Sequence, residues 1–140
     1  MIYPEPVSAA VSEDELLARF ILYRGYVRKD LTVKPEAFIP HPYPDLSVTQ
    51  HDDLSEEDLW GIAWSIAEEK QLSTGRPSVV YGRADIVTGD VTKQNLQVQP
   101  WPTPRNRNHV NITGWPPDKP SQKIKALELA AGARYVARPN

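Results

Sequence analysis

The side chains best suited to chemistry in this 140-residue chain gather around its last quarter. Arg105-Asn-Arg-Asn-His-Val-Asn-Ile-Thr113 puts two guanidinium groups just ahead of a histidine that opens an alternating apolar and polar stretch. In an extended strand successive side chains point to opposite faces, so His109, Asn111 and Thr113 share one face while Val110 and Ile112 share the other. An imidazole so placed acts as acid or base near neutral pH. Arg105 and Arg107 suit phosphate or carboxylate oxygens, which a guanidinium binds through paired N–H groups. Arg24 joins them from a distance. It lies within the apolar run Phe20–Val27, and a charge in such a run is costly to bury without a partner. It therefore pairs with an acid or reaches into a pocket.

Two functions fit these residue types. The first expectation is a small accessory or protein-interaction module that binds a protein partner through the Trp/Pro/Arg-rich loop 100–117. Trp101, Arg105, Arg107, Asn108, His109, Asn111 and Trp115 would form its contact surface, since large aromatics and arginines dominate interface energetics. The alternative is a small enzyme acting on a nucleotide or other phosphorylated substrate. His109 would be its acid/base and Arg24, Arg105 and Arg107 its anion-binding groups. The enzyme requires these side chains to converge in a polar cleft. The module requires a flatter aromatic surface.

Composition narrows the field. There is no cysteine, which excludes disulfides, thiol nucleophiles and cysteine-ligated metal centres. His41, His51 and His109 lack metal-ligand spacing, and His51-Asp-Asp53 reads as acids favouring a helix entry, so no metal is expected. No Gly-x-Gly-x-x-Gly, Walker or Gly-x-Ser-x-Gly pattern occurs, and no cofactor is expected. A pI near 5.9 makes nucleic acid an improbable partner. No apolar run approaches the roughly 20 residues that span a bilayer, and the first residues do not read as a signal peptide, so a cytoplasmic location without membrane contact is expected. Charge is divided along the chain. Residues 1–100 carry nine basic and sixteen acidic side chains, a net of −7, while residues 101–140 carry seven and two, a net of +5. Such a split either steers an anionic partner or lets the two parts complement each other.

The positioning elements follow from pattern. Residues 1–11 read as a loosely ordered arm and 12–140 as one domain. Ser12-Glu-Asp-Glu15 is a capping box that predicts a short helix through Leu16, Leu17 and Arg19, with a strand somewhere in Phe20–Val27. Leu46–Gln50 alternates as a strand does. Ser55 with three acids after it starts the clearest helix, over 56–70, with Leu59, Ile62, Ala63 and Ile66 on one face. Residues 78–81 and 84–88 read as one strand or two strand pieces around Gly82, expected to pair with Leu96–Gln99 as a hairpin across the turn-rich 89–95. A last helix, over 121–133, is capped by Ser121 and has Ile124, Leu127 and Ala131 on one face. The sum is an α+β fold: a small, mainly antiparallel sheet of four or five strands with two or three helices. Its expected core runs through Phe20, Leu22, Phe38, Leu46, Val48, Leu59, Ile62, Ile66, Val80, Ile86, Leu96, Val98, Val110, Ile112, Ile124 and Leu127.

Two resemblances add to this reading. Ala37-Phe38, Leu46-Ser-Val48, the proline-bracketed loop Pro100–Asn108, His109-Val-Asn-Ile112 and Leu129-Ala130 together resemble a set of small bacterial proteins over about residues 20–138. Val110 stands where that pattern has alanine, and a proline-rich insertion precedes the last helix. The resemblance implies a fold and a loop of interest, and no activity. Arg24 followed by Ser47-Val-Thr49 is similar to the arginine and the serine–threonine strand of ADP-ribosyltransferase folds. That family also needs an acid, commonly glutamate, on a later strand, where this chain offers only Asp85 and Asp90.

Overall fold

The computed structural model describes residues 11–41 and 43–140; the arm expected over residues 1–11 lies outside them but for Val11. The fold is α+β with an open antiparallel sheet. Six strands build it rather than four or five: β1 (Leu16–Ile21), β2 (Leu46–Gln50), β3 (Gly82–Val87), β4 (Gln97–Pro100), β5 (His109–Thr113) and β6 (Arg134–Ala137). Their order across the sheet is β4-β5-β2-β1-β3-β6. The helices are α1 (Glu56–Thr74), α2 (Thr88–Lys93) and α3 (Lys119–Gly132), with single 3-10 turns at Arg24–Tyr26 and Pro35–Phe38.

The sheet is unequally bonded. β1 runs beside β3 through six residue pairs, from Leu16–Val87 to Ile21–Gly82. β2 runs beside β5 through four. At the centre, β1 and β2 meet only at Leu17–Gln50 and Ala18–Thr49, and then part. Two three-stranded halves therefore join along one short seam.

Side-chain alternation assigns each face its layer. Leu17, Ile21, Leu46, Val48, Ala84, Ile86, Val110 and Ile112 form the larger core with Ala126 and Leu129 of α3, Val91 of α2 and Phe38. On the opposite face α1 packs Trp60, Ala63 and Ala67 against Phe20, Leu22, Val80 and Val136. Ser55 starts α1 as expected, its hydroxyl accepting from the Asp58 amide at 3.1 Å. The helix outlasts residue 70 because nothing stops it before Gly75, which takes a left-handed φ of 72° and bonds back to the Gln71 carbonyl.

Several expectations fail for physical reasons. Leu16–Ile21 is strand, not helix: the capping-box residues form a turn, and pairing with β3 outweighs local helix propensity. The 84–88 and 96–99 stretches do not form a hairpin. Residues 88–93 coil into α2, β3 pairs with β1 and β6, and β4 pairs with β5. Asp118 rather than Ser121 caps α3, accepting from the Ser121 amide at 3.0 Å. That helix is also rotated from expectation. Ile124 and Leu127 are 67% and 52% exposed, while Gln122, Ala126 and Leu129 are buried. Two faces of α3 satisfy a helical period; the one with alanines lets α3 lie close to the Pro35–Phe38 turn, and Gln122 satisfies its amide on the Pro116 carbonyl at 2.8 Å. Phe20, Leu22, Ile62, Ile66 and Val98 are half-buried rather than core.

Gly82 marks the tightest approach within the sheet. A Cβ there would stand 2.5 Å from the Val136 carbonyl oxygen and 2.5 Å from the Tyr135 hydroxyl. Backbone cannot yield as a side chain does, so Gly82→Ala is expected to destabilise the fold by about 1–3 kcal/mol. A denaturant midpoint unchanged from wild type would contradict this close packing.

Candidate functional site

Where β1 and β2 part, a cleft of about 520 Å³ opens between the two halves of the sheet. Phe20, Leu22 and Tyr23 line it from β1 and the segment after it, Ser47 and Thr49 from β2, and His109 from β5. Ile66 and Lys70 of α1, with Tyr26, Ile39 and His41, complete its wall. Four of the lining side chains are basic or imidazole groups, Arg19, His41, Lys70 and His109, and among the described residues no acid lines it.

Arg19 is the centre of this arrangement. It lies mid-strand in β1, and its guanidinium bridges the gap. Nε donates to the Ala37 carbonyl at 2.9 Å and Nη1 to the Ser47 carbonyl at 3.0 Å. Both acceptors are neutral, and no carboxylate among the described residues pairs with Arg19. Burial pushes its pKa down from the ordinary value, with Tyr26 working in the other direction. A guanidinium nonetheless stays protonated, so among the described residues a positive charge without a counter-charge sits at the cleft.

His109 is held in one tautomer. Its Nδ1 lies 2.7 Å from the Trp101 carbonyl oxygen, which only accepts, so Nδ1 carries the proton in the neutral ring. Nε2 is left as an acceptor. The loop that supplies that carbonyl is tied down by asparagines. Buried Asn106 donates to the Thr49 hydroxyl at 2.7 Å and accepts from the Asn108 amide at 3.0 Å. Asn108 donates to the Gln50 carbonyl at 3.0 Å.

The residues singled out from sequence separate in space. His109 lines the cleft, with Asn111 beside it on the same strand face. Arg24 is exposed in its 3-10 turn and does not line the cleft. Arg105 and Arg107 lie in a shallow groove between their loop and α1, where Arg105 approaches Glu69 at 3.6 Å and Ser65 at 3.5 Å. Trp101 is half exposed. Trp115 is 4% exposed, its indole donating to the Ile112 carbonyl at 3.0 Å, so it belongs to the core. Of the acids weighed for the ADP-ribosyltransferase resemblance, Asp85 is bound to Arg83 and His51 and Asp90 lies in α2, and neither lines the cleft. Sequence reasoning weighed His41 only as a metal ligand, placed Arg19 in a helix, and did not single out Lys70. The signal that marked Arg24, a charge within an apolar run, was present for Arg19 in Leu16–Leu22.

A second charged cluster lies between α1 and β3. Arg83, 3% exposed, spans Glu56 (2.6 and 2.9 Å) and Asp85 (3.1 and 3.2 Å). His51 Nε2 approaches Asp85 at 2.9 Å, and the Trp60 ring lies 4.9 Å from the Arg83 guanidinium carbon. Burial works to lower the Arg83 pKa, but the bonds to Glu56 and Asp85 outweigh it and leave the pKa raised. This arginine is internally neutralised. Among the described residues no three metal-ligating side chains gather, and no helix is long and apolar enough to cross a membrane.

No family model, curated protein or solved structure matches the chain.

The Arg83 guanidinium holds the Glu56 carboxyl below its usual range. A depressed folded-state pKa contributes stability above the unfolded value, about 4.3 for glutamate, and loses it as pH falls through the folded value. Glu56→Gln is therefore expected to show a shallower fall in melting temperature than wild type from about pH 5 to 3. Parallel curves would mean that the pair does not couple to folding.

Proposed function

We propose that the protein is a small enzyme that binds a nucleotide or another phosphorylated small molecule in the cleft between β1 and β2. The observation that carries this reading is the Arg19 charge. It faces a cleft with three further basic or imidazole side chains, no acid, and a volume within the range of small-molecule sites. A phosphate seated on Arg19 supplies the counter-charge the protein lacks there, through charge-assisted hydrogen bonds. Lys70 adds to the field, and His41 offers a ring nitrogen for hydrogen bonding. His109, with Nδ1 anchored on the Trp101 carbonyl, offers Nε2 to a substrate hydroxyl or proton. This retains the phosphorylated substrate and the histidine expected from sequence, and replaces Arg24, Arg105 and Arg107 with Arg19, Lys70 and His41. Arg19 and Ser47-Val-Thr49 would also carry the ADP-ribosyltransferase resemblance better than Arg24 does. The acid that family needs is missing from the cleft, so NAD⁺ is one ligand to test rather than the conclusion.

Calorimetric titration at low salt, with AMP, NAD⁺, ribose 5-phosphate and inorganic phosphate, tests the site. Arg19→Lys keeps the charge and loses the fork, and is expected to weaken binding by roughly tenfold or more, the scale of a lost hydrogen bond to a charged group. Lys70→Gln should weaken it less, while His109→Gln should lower turnover more than affinity. Absence of any binding in wild type would sink the proposal.

A second reading, docking of a protein partner on loop 100–117, is favoured by one observation: Trp101 is half exposed in the loop that also supplies Arg105 and Arg107 to a surface groove. Trp115 is spent on the core, which leaves Trp101 as the aromatic anchor. Trp101→Ala with Arg107→Ala is then expected to stay folded and release a partner captured by the wild-type protein. Full retention of that partner would rule this surface out.

A further inference from the structure

We infer that the ligand of this cleft carries an aromatic ring, stacked on Tyr23, and is therefore a mononucleotide or a similar ring-bearing phosphate rather than a sugar phosphate; this rests on the anion-binding reading of the same cleft. The cleft is lined by cationic and aromatic side chains together. Tyr23 and Tyr26 stand edge to face at its rim, ring centroids 5.0 Å apart and planes at 73°. Phe20 and Ile39 continue the apolar wall. An edge-to-face pair leaves a ring face available, and Tyr23 is 61% exposed. A large aromatic that is left mostly open, beside a site for negative charge, suits a ligand with a flat apolar part joined to an anion. Base–aromatic stacking accepts any base, because each has a π-face.

The 3-10 turn Arg24–Tyr26 holds this ring in place, and Gly25 sets its position. A Cβ at Gly25 would stand 2.5 Å from Tyr23 Cε2 and 3.0 Å from Cζ, so the ring lies directly over the glycine. The atoms in conflict belong to the far end of an exposed side chain. Gly25→Ala therefore swings Tyr23 away and leaves Arg19, Lys70 and His109 where they are.

The test compares AMP, CMP and nicotinamide mononucleotide with ribose 5-phosphate, the ringless control, by calorimetric titration against the full chain. Melting curves confirm that each variant is folded. Wild type is expected to bind at least one of the ring-bearing phosphates roughly tenfold or more tighter than ribose 5-phosphate, the scale of a single stacked base. Gly25→Ala and Tyr23→Ser are expected to bring that ratio to near one while ribose 5-phosphate affinity is unchanged. Equal affinity of wild type for all four ligands, or a ratio that survives both substitutions, overturns the ring-stacking inference and leaves the anion site standing. Binding of none of the four overturns both.

Discussion

Arg19 occupies the point at which the sheet stops being continuous. After Ala18–Thr49 the ladder between β1 and β2 ends, and the next link across the gap is a guanidinium donating to the Ser47 carbonyl. A second donation, to Ala37, ties the same group to the Pro35–Phe38 turn. An arginine in this role links the strands through a side chain where the backbone ladder has ended. The cleft opens at this point. Its cationic character comes from the same residue, since both acceptors are neutral carbonyls.

The contrast with Arg83 clarifies what this means energetically. A buried charge is tolerated when it is paired and its hydrogen-bonding capacity is used. Arg83 meets those conditions through Glu56 and Asp85, with Trp60 against it. It pins the first turn of α1 to β3, and so sets the position from which Ile66 and Lys70, further along α1, reach the cleft. One arginine fastens the helix; the other carries an uncompensated charge at the opening that the helix overhangs. The loop before β5 completes the construction by an unrelated device. Asn106 and Asn108 fasten it to Thr49 and Gln50, which brings the Trp101 carbonyl against the His109 ring.

The sequence was legible where the physics is local. Ser55, three acids and a helical apolar period announced α1, and the alternations of Leu46–Gln50 and His109–Thr113 announced β2 and β5. It misled where local preference and long-range pairing disagree. Ser12–Glu15 suggested a helix, but Leu16–Ile21 gains more by pairing with β3 along its whole length. A turn-rich 89–95 suggested a hairpin, yet the strands on either side found other partners and the intervening residues became α2. α3 shows a subtler ambiguity, two apolar faces of which the alanine-rich one turns inward.

The same division holds for the site. Chain chemistry alone defined the α+β class, the N-cap of α1, the absence of thiol chemistry and the polar strand face bearing His109, because each depends on composition or on neighbours a few residues apart. Which arginine lines the same cleft as that histidine depends on residues some ninety positions apart along the chain coming together through β1, β2 and β5. Arg24 and Arg19 look alike as charges near apolar residues. They differ in that one falls on a strand beside the seam and the other on an exposed turn beyond it. Trp101 and Trp115 look alike as loop tryptophans, and only packing sends one to the surface and the other to the core. Pairing and burial are properties of the whole folded chain, and no window of the sequence contains them.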